Sequence, residues 1–137
     1  MTPELANFRG TWRISRRVVA ANGPNARFSG LAEFTADESG LICDETGELR
    51  LDGQTPVRAE RRYLWRPGTA GTIEVQFADG RPFHRFDPGA GTPCARHDCA
   101  PDVYEVRYDF RRWPVWSSRW RVRGSHKDYA MMTICQR

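Results

Sequence analysis

Cys94-x-x-His97-x-Cys99, with Asp102 close behind, is the densest run of metal-ligating side chains in the chain. Thiolates and imidazoles hold zinc well, and a short loop can bring three of them to one ion. The spacing is not a two-plus-two zinc pattern, however, and there is only one cluster, which His84 or Asp102 would have to complete. Free loop thiols beside a hydrogen-bonded histidine are the favoured reading, with a Cys94–Cys99 disulfide as a further one; no metal or other cofactor is expected.

A second set consists of polar residues on otherwise apolar faces. Arg16 shares its parity with Trp12, Ile14 and Val18, and Arg61 with Val57, Ala59, Tyr63 and Trp65. Tyr104 and Tyr108 stand among Val106 and Phe110, and His84 shares parity with Phe86. An inward arginine costs stability unless paired or hydrated, and its planar fork suits a ligand carboxylate. Two blander outcomes stay open: a bulge that turns these arginines outward, or internal pairing with Asp102 or Asp128.

His84, His97, Asp102, Tyr104, Lys127 and Tyr129 include acid, base and anion-stabilising types. No spacing among them defines a nucleophile and its base, so no catalytic residue is assigned. Trp113-Pro114-Val115-Trp116, followed by Trp120, reads as packing at one end of the fold, with Trp113 and Trp116 as candidates for a homo-oligomer contact. The same rings interleave with Arg111, Arg112 and Arg119, a combination able to stack on single-stranded nucleic acid. No nucleic-acid-binding motif accompanies them, and that partner is not expected.

These side chains need elements to hold them. Thr2-Pro3 reads as the N-cap and first residue of a short helix that Gly10 ends. Strand patterns follow. Trp12, Ile14 and Val18 oppose Arg13, Ser15 and Arg17; Phe28, Ala32 and Phe34 oppose Arg27, Ser29 and Glu33. Leu41–Asp44 and Leu49–Leu51 flank an expected turn at Glu45-Thr46-Gly47. Val57 to Trp65 and Ile73 to Phe77 alternate in the same way, and Asp79-Gly80 marks a hairpin before Arg81–Phe86. Asp87–Pro101, rich in Gly and Pro, is expected to be a loop. Tyr104 to Phe110 shows the cleanest alternation, Trp120 and Val122 oppose three arginines, and Asp128–Gln136 is the last strand. About nine or ten strands in hairpin order, with no helical period between them, predict an all-β antiparallel up-and-down barrel. A two-sheet sandwich fits the same pattern.

The 137 residues are expected to form one domain, 1–137, large enough to bury a core without staples. No apolar run approaches the ~20 residues of a membrane helix. Met1 to Leu5 lack the basic and apolar regions of a secretory signal, which predicts a soluble cytoplasmic protein. The net charge is +4, and Lys127 is the only lysine. The arginines are spread along nearly every strand without a contiguous tract, the pattern of a solvated barrel exterior.

With Gly10-Thr11-Trp12 opening the first strand and Arg137 ending the last, the chain resembles the calycin superfamily of lipocalins and fatty-acid-binding proteins. The resemblance implies that Trp12 lies under the barrel floor with an arginine packed over it, Arg137 or its competitor Arg123. It also implies Arg16, Arg61 and Tyr129 as anion anchors. Asp79-Gly80-Arg81-x-Phe83-His84, His97-x-Cys99-x-x-Asp102-x-Tyr104 and Gly124-x-x-Lys127-Asp128-Tyr129 resemble the signature blocks of a bacterial lipocalin-like domain family of no assigned function. The longer glycine-rich opening and the C-terminal histidine of nitrobindin-like haem barrels are missing, so haem is not expected.

The expected function is binding of a small, partly apolar ligand with an anionic or polar head inside the barrel. Arg16 and Arg61 hold the head, Tyr104, Tyr108 and Tyr129 supply hydroxyls and ring surface, and His84 sits near the mouth under an 87–101 lid. The alternatives are a small barrel enzyme using His84, His97 and Asp102, and a packed interaction barrel with no ligand.

Overall fold

Strict alternation of apolar and charged residues gives each strand one face to bury and one to leave in water, and the chain satisfies this by curling one sheet on itself. The computed structural model describes residues 2–137. Its strands are β1 (Gly10–Ala20), β2 (Ala26–Asp37), β3 (Gly40–Leu51), β4 (Val57–Pro67), β5 (Ile73–Phe77), β6 (Pro82–Phe86), β7 (Cys94–Cys99), β8 (Asp102–Arg112), β9 (Val115–Arg123) and β10 (Asp128–Gln136). They form one ten-stranded antiparallel sheet in the order β6-β5-β4-β3-β2-β1-β10-β9-β8-β7. The two ends of that order, β6 and β7, lie side by side with no ladder between them among the described residues, so the barrel is nearly closed. Phe83 bridges the seam, its ring centroid 5.3 Å from that of His97.

Two expected loops are strands. The expected turn at Glu45-Thr46-Gly47 lies inside the continuous β3, where Gly47 faces Gly30 across the ladder. A Cβ on Gly47 would lie 2.7 Å from the Gly30 Cα, so the glycine is there for close backbone approach rather than for a turn. The expected loop 87–101 contains the edge strand β7, which pairs only with β8. Its residues are short or polar and half of it faces water, so its composition hid it. The expected 87–101 lid is therefore partly barrel wall.

The expected N-terminal helix is a single 3-10 turn, Leu5–Phe8. Glu4 is its N-cap in place of Thr2, with the Asn7 side-chain carbonyl accepting the Glu4 N–H at 2.8 Å. The turn plugs one end of the barrel. Phe8, fully buried, meets the rings of Phe34, Trp65, Phe110, Trp113 and Trp116. Trp12 is also fully buried and donates its indole N–H to the Phe8 carbonyl at 2.8 Å.

Arg137, rather than Arg123, covers that tryptophan. Its guanidinium carbon lies 3.9 Å from the Trp12 ring centroid, and it donates to the carbonyls of Arg9 and Asn7 at 3.0 and 2.7 Å. Gly10 has φ +122°, and a Cβ there would come within 3.1 Å of the Arg137 guanidinium. Arg123 points outward to Glu105. Among the described residues no helix is long and apolar enough to cross a membrane.

Candidate functional site

Above the aromatic floor the lumen is open: a cavity of about 920 Å³ runs from Phe34, Trp65 and Trp116 up to the rim at Arg61, Lys127 and Tyr129. Side chains do not fill the barrel, contrary to the packed-barrel alternative. Arg16, Arg61, His84, Tyr104, Tyr108 and Tyr129 all border this cavity, because antiparallel register puts alternate residues of β1, β4, β6, β8 and β10 on the inner face.

Bordering the cavity does not leave every group free to bind. Arg16 is held by Glu45 of β3 in a bidentate pair, both hydrogen bonds at 2.9 Å, and its Nε donates to Thr133 Oγ1 at 2.8 Å. Both side chains are about one-seventh exposed. Burial pulls the guanidinium toward losing its proton, but the Glu45 carboxylate outweighs that, so Arg16 stays above its ordinary pKa. Its charge is compensated within the wall, which removes it as the free anion anchor. The partner is neither Asp102 nor Asp128: Asp102 pairs with Lys127 at 3.2 Å and Asp128 with Arg121. Glu45 escaped the sequence reading because it was placed in a turn. The signal was present, since Glu45 shares parity with Leu41 and Cys43 once β3 is one strand.

His84 Nε2 and Tyr108 Oη are 2.8 Å apart in the middle of the wall. Burial, with a smaller contribution from nearby His97, lowers the His84 pKa to about 3, so the ring is neutral at physiological pH. Burial also pushes the Tyr108 phenol well up. Tyr108 therefore keeps its proton, and the tautomer of the neutral ring, which carries its one proton on Nε2 or on Nδ1, sets which of the two groups donates. That Nδ1 and the indole N–H of Trp116 are the buried side-chain polar atoms without a partner among the described residues. Both belong to residues that line the cavity.

The rim carries the free charge. Arg61 is exposed, donates to Tyr63 Oη at 3.1 Å, and has no carboxylate partner among the described residues. The other rim cations are matched: Arg62 by Asp44, Arg81 by Asp79 and Lys127 by Asp102. Lys127 also donates to Tyr104 Oη at 2.6 Å, and these two hydrogen bonds, Tyr104 first, raise its pKa. Half-burial raises that of Tyr129.

The remaining candidates do not converge. Cys94 sits on the outer face of β7, while His97 faces the cavity and packs edge-on against Phe77 and Phe83. No three His, Cys, Asp or Glu side chains are placed to hold a metal ion among the described residues. Strand alternation puts Cys94 on the face opposite His97, and no third ligand among the described residues joins His97 and Cys99, which both border the cavity. Cys94 and Cys99 are free thiols rather than a disulfide. His84, His97 and Asp102 form no histidine–carboxylate pair: His84 bonds Tyr108 and Asp102 bonds Lys127. Trp116 is buried in the floor and Trp113 half-buried against Phe8 and Trp12, so Trp116 offers no outer surface for an oligomer contact.

A nearly closed antiparallel barrel with a plugged floor and an open, aromatic-lined lumen is the class that fold and site define. Within it, the chain belongs to DUF6314, a family of unknown function whose pattern matches residues 8–137. No curated protein matches it in sequence. Among solved structures it is similar to the S-type phycobiliprotein lyase CPES from Guillardia theta, at TM-score 0.56 and 10% identity over 96% of this chain and 87% of that one. That likeness is one of fold. A de novo designed fluorescence-activating β-barrel aligns at TM-score 0.41 and 14% identity over 97% of this chain and 96% of that one.

Proposed function

We propose that the protein binds one small, largely apolar molecule in the barrel lumen, with an anionic group held at the rim by Arg61. The observation that carries this reading is the cavity of about 920 Å³ with one cation at its edge, Arg61, that has no carboxylate partner among the described residues. Its size falls within the range of small-molecule sites, and its wall combines aromatic rings such as Trp65, Trp116 and Trp120 with charged and polar groups that are mostly paired with one another. Tyr63 and Tyr129 add phenols near the rim, and Tyr104 is held in place by Lys127. Arg16 and Glu45 form a neutral polar belt in the wall, to which Tyr108 and His84 add uncharged polarity.

The up-and-down strand order and the Trp12–Arg137 contact support kinship with the calycin barrels. The fold likeness to a phycobiliprotein lyase is compatible with a ligand-handling barrel. Native mass spectrometry tests the reading. A small molecule retained or taken up at one per chain, and released on denaturation, supports it. A chain that stays bare after exposure to long-chain carboxylates and to aromatic carboxylates overturns it.

A further inference from the structure

Along the sequence the arginines are scattered, but the ladder gathers five of them into one row on the outside of the barrel. Arg50 of β3 faces Arg27 of β2, and Arg27 faces Arg17 of β1. Arg17 faces Met132 of β10, which faces Arg119 of β9, which faces Arg107 of β8. All five arginines are exposed, and none has a hydrogen bond or ion pair among the described residues. The row contains no acid. Of the acids in the flanking rows, Glu105 is engaged by Arg123 and Asp109 by Arg111, while Glu48, two residues from Arg50 on the same face, has no ion pair among the described residues. Like charges directly opposite on neighbouring strands repel, so this arrangement opposes folding unless something anionic lies across it.

We infer that this row binds the sugar–phosphate backbone of single-stranded nucleic acid without reading sequence. The row crosses six of the ten strands, more than half the circumference, so its end residues point in widely different directions. A flat anionic membrane or a stiff duplex touches such a convex belt over two or three neighbours only, whereas a flexible strand can follow it round. The centre of the row is concave. A groove of about 420 Å³ is lined there by Arg17, Arg27, Met132, Ile134 and the facing hydroxyl residues Ser15 and Ser29. Two guanidinium forks and two hydroxyls around one depression suit a phosphate. The large hydrophobic residues exposed on the chain are aliphatic, Val19, Leu31, Val57, Val115 and Ile134. Bases therefore have no stacking platform on this face, which leaves the backbone as the recognised part.

Fluorescence polarisation of a labelled oligothymidylate against the full chain, over a series of salt concentrations, tests the inference. Five phosphate contacts predict a slope of log affinity against log salt of about −3.5, at roughly 0.7 per contact on a single strand. The double variant Arg17→Gln/Arg27→Gln should lower the slope to about −2.1 while melting no earlier than the parent, because a repulsive pair is removed. Arg13→Gln/Arg85→Gln, equal in charge change but off the row and without ion pairs among the described residues, should keep the parental slope. Absence of binding at low salt, a slope that ignores Arg17 and Arg27, or tighter binding to duplex DNA or to phosphatidylserine vesicles would overturn it. Ligand uptake into the lumen is read separately and stands or falls by itself.

Discussion

Arg16 and Glu45, two strands apart in the ladder, meet fork to fork inside the barrel with both hydrogen bonds at 2.9 Å. Removing one partner leaves a mostly buried charge alone, and such breaks cost about 3–5 kcal/mol, toward the low end here because the pair keeps some solvent contact. Glu45→Gln should thus unfold at markedly lower denaturant than the parent. Arg16→Met/Glu45→Met, which replaces the pair by apolar volume, should recover most of that loss. Urea titrations of the three chains check this. A double variant as unstable as the single one would show that the pair contributes more than its mutual compensation.

The position of free charge separates Arg61 from Arg16. Arg61→Leu should weaken binding of a fluorescent long-chain carboxylate about tenfold, the scale of one exposed charge-assisted hydrogen bond. Binding of the corresponding methyl ester should hardly change, and neither should thermal stability. Equal losses for acid and ester would mean that Arg61 shapes the rim rather than holding an anion.

His84 makes stability depend on acid in a set direction. Its pKa is about 3 in the folded chain and near 6.5 when unfolded. The unfolded state therefore takes up the proton first as pH falls. Stability attached to the neutral ring is intact above about pH 6.5 and drains away between there and about pH 3, by an amount on the order of a few kcal/mol. His84→Gln should be less stable than the parent at pH 7, and the gap should narrow by pH 4.5. Chemical denaturation at the two pH values reads this; a gap that stays constant would mean that His84 is not held neutral.

The Gly30–Gly47 crossing gives a steric prediction. A methyl group on Gly47 collides with the Gly30 backbone and crowds Phe28, and overpacking of this kind costs about 1–3 kcal/mol. Gly47→Ala should melt earlier, while Gly53→Ala, in open space though at positive φ, should lose less. Differential scanning calorimetry distinguishes them.

Strand periodicity carried most of the architecture, because half-buried strands must alternate whatever they pair with. Trp12, Tyr108 and Phe110 announced their faces in this way. Two segments did not. Glu45-Thr46-Gly47 looks like a turn locally, and only the partner glycine on β2 explains why it is straight. Cys94–Cys99 is an edge strand whose pairing comes entirely from β8. The site followed the same division. Parity put Arg16, Arg61, His84, Tyr104 and Tyr108 on the inner face and the calycin resemblance supplied Tyr129, but nothing local could say that Glu45 would neutralise Arg16. The arginine row was invisible for a related reason, since its members are neighbours only through ladder register.

The central claim is that the lumen is the binding site, and a stoichiometric titration probes it most directly. With a fluorescent long-chain carboxylate the parent should saturate at one molecule per chain, with quenching of tryptophan emission from Trp65, Trp116 and Trp120 along the cavity. Ser118→Phe, which projects a ring into the lumen from β9, should abolish uptake in a chain that still melts cooperatively. Undiminished one-to-one binding by that folded variant would place the ligand somewhere other than inside the barrel and contradict the account.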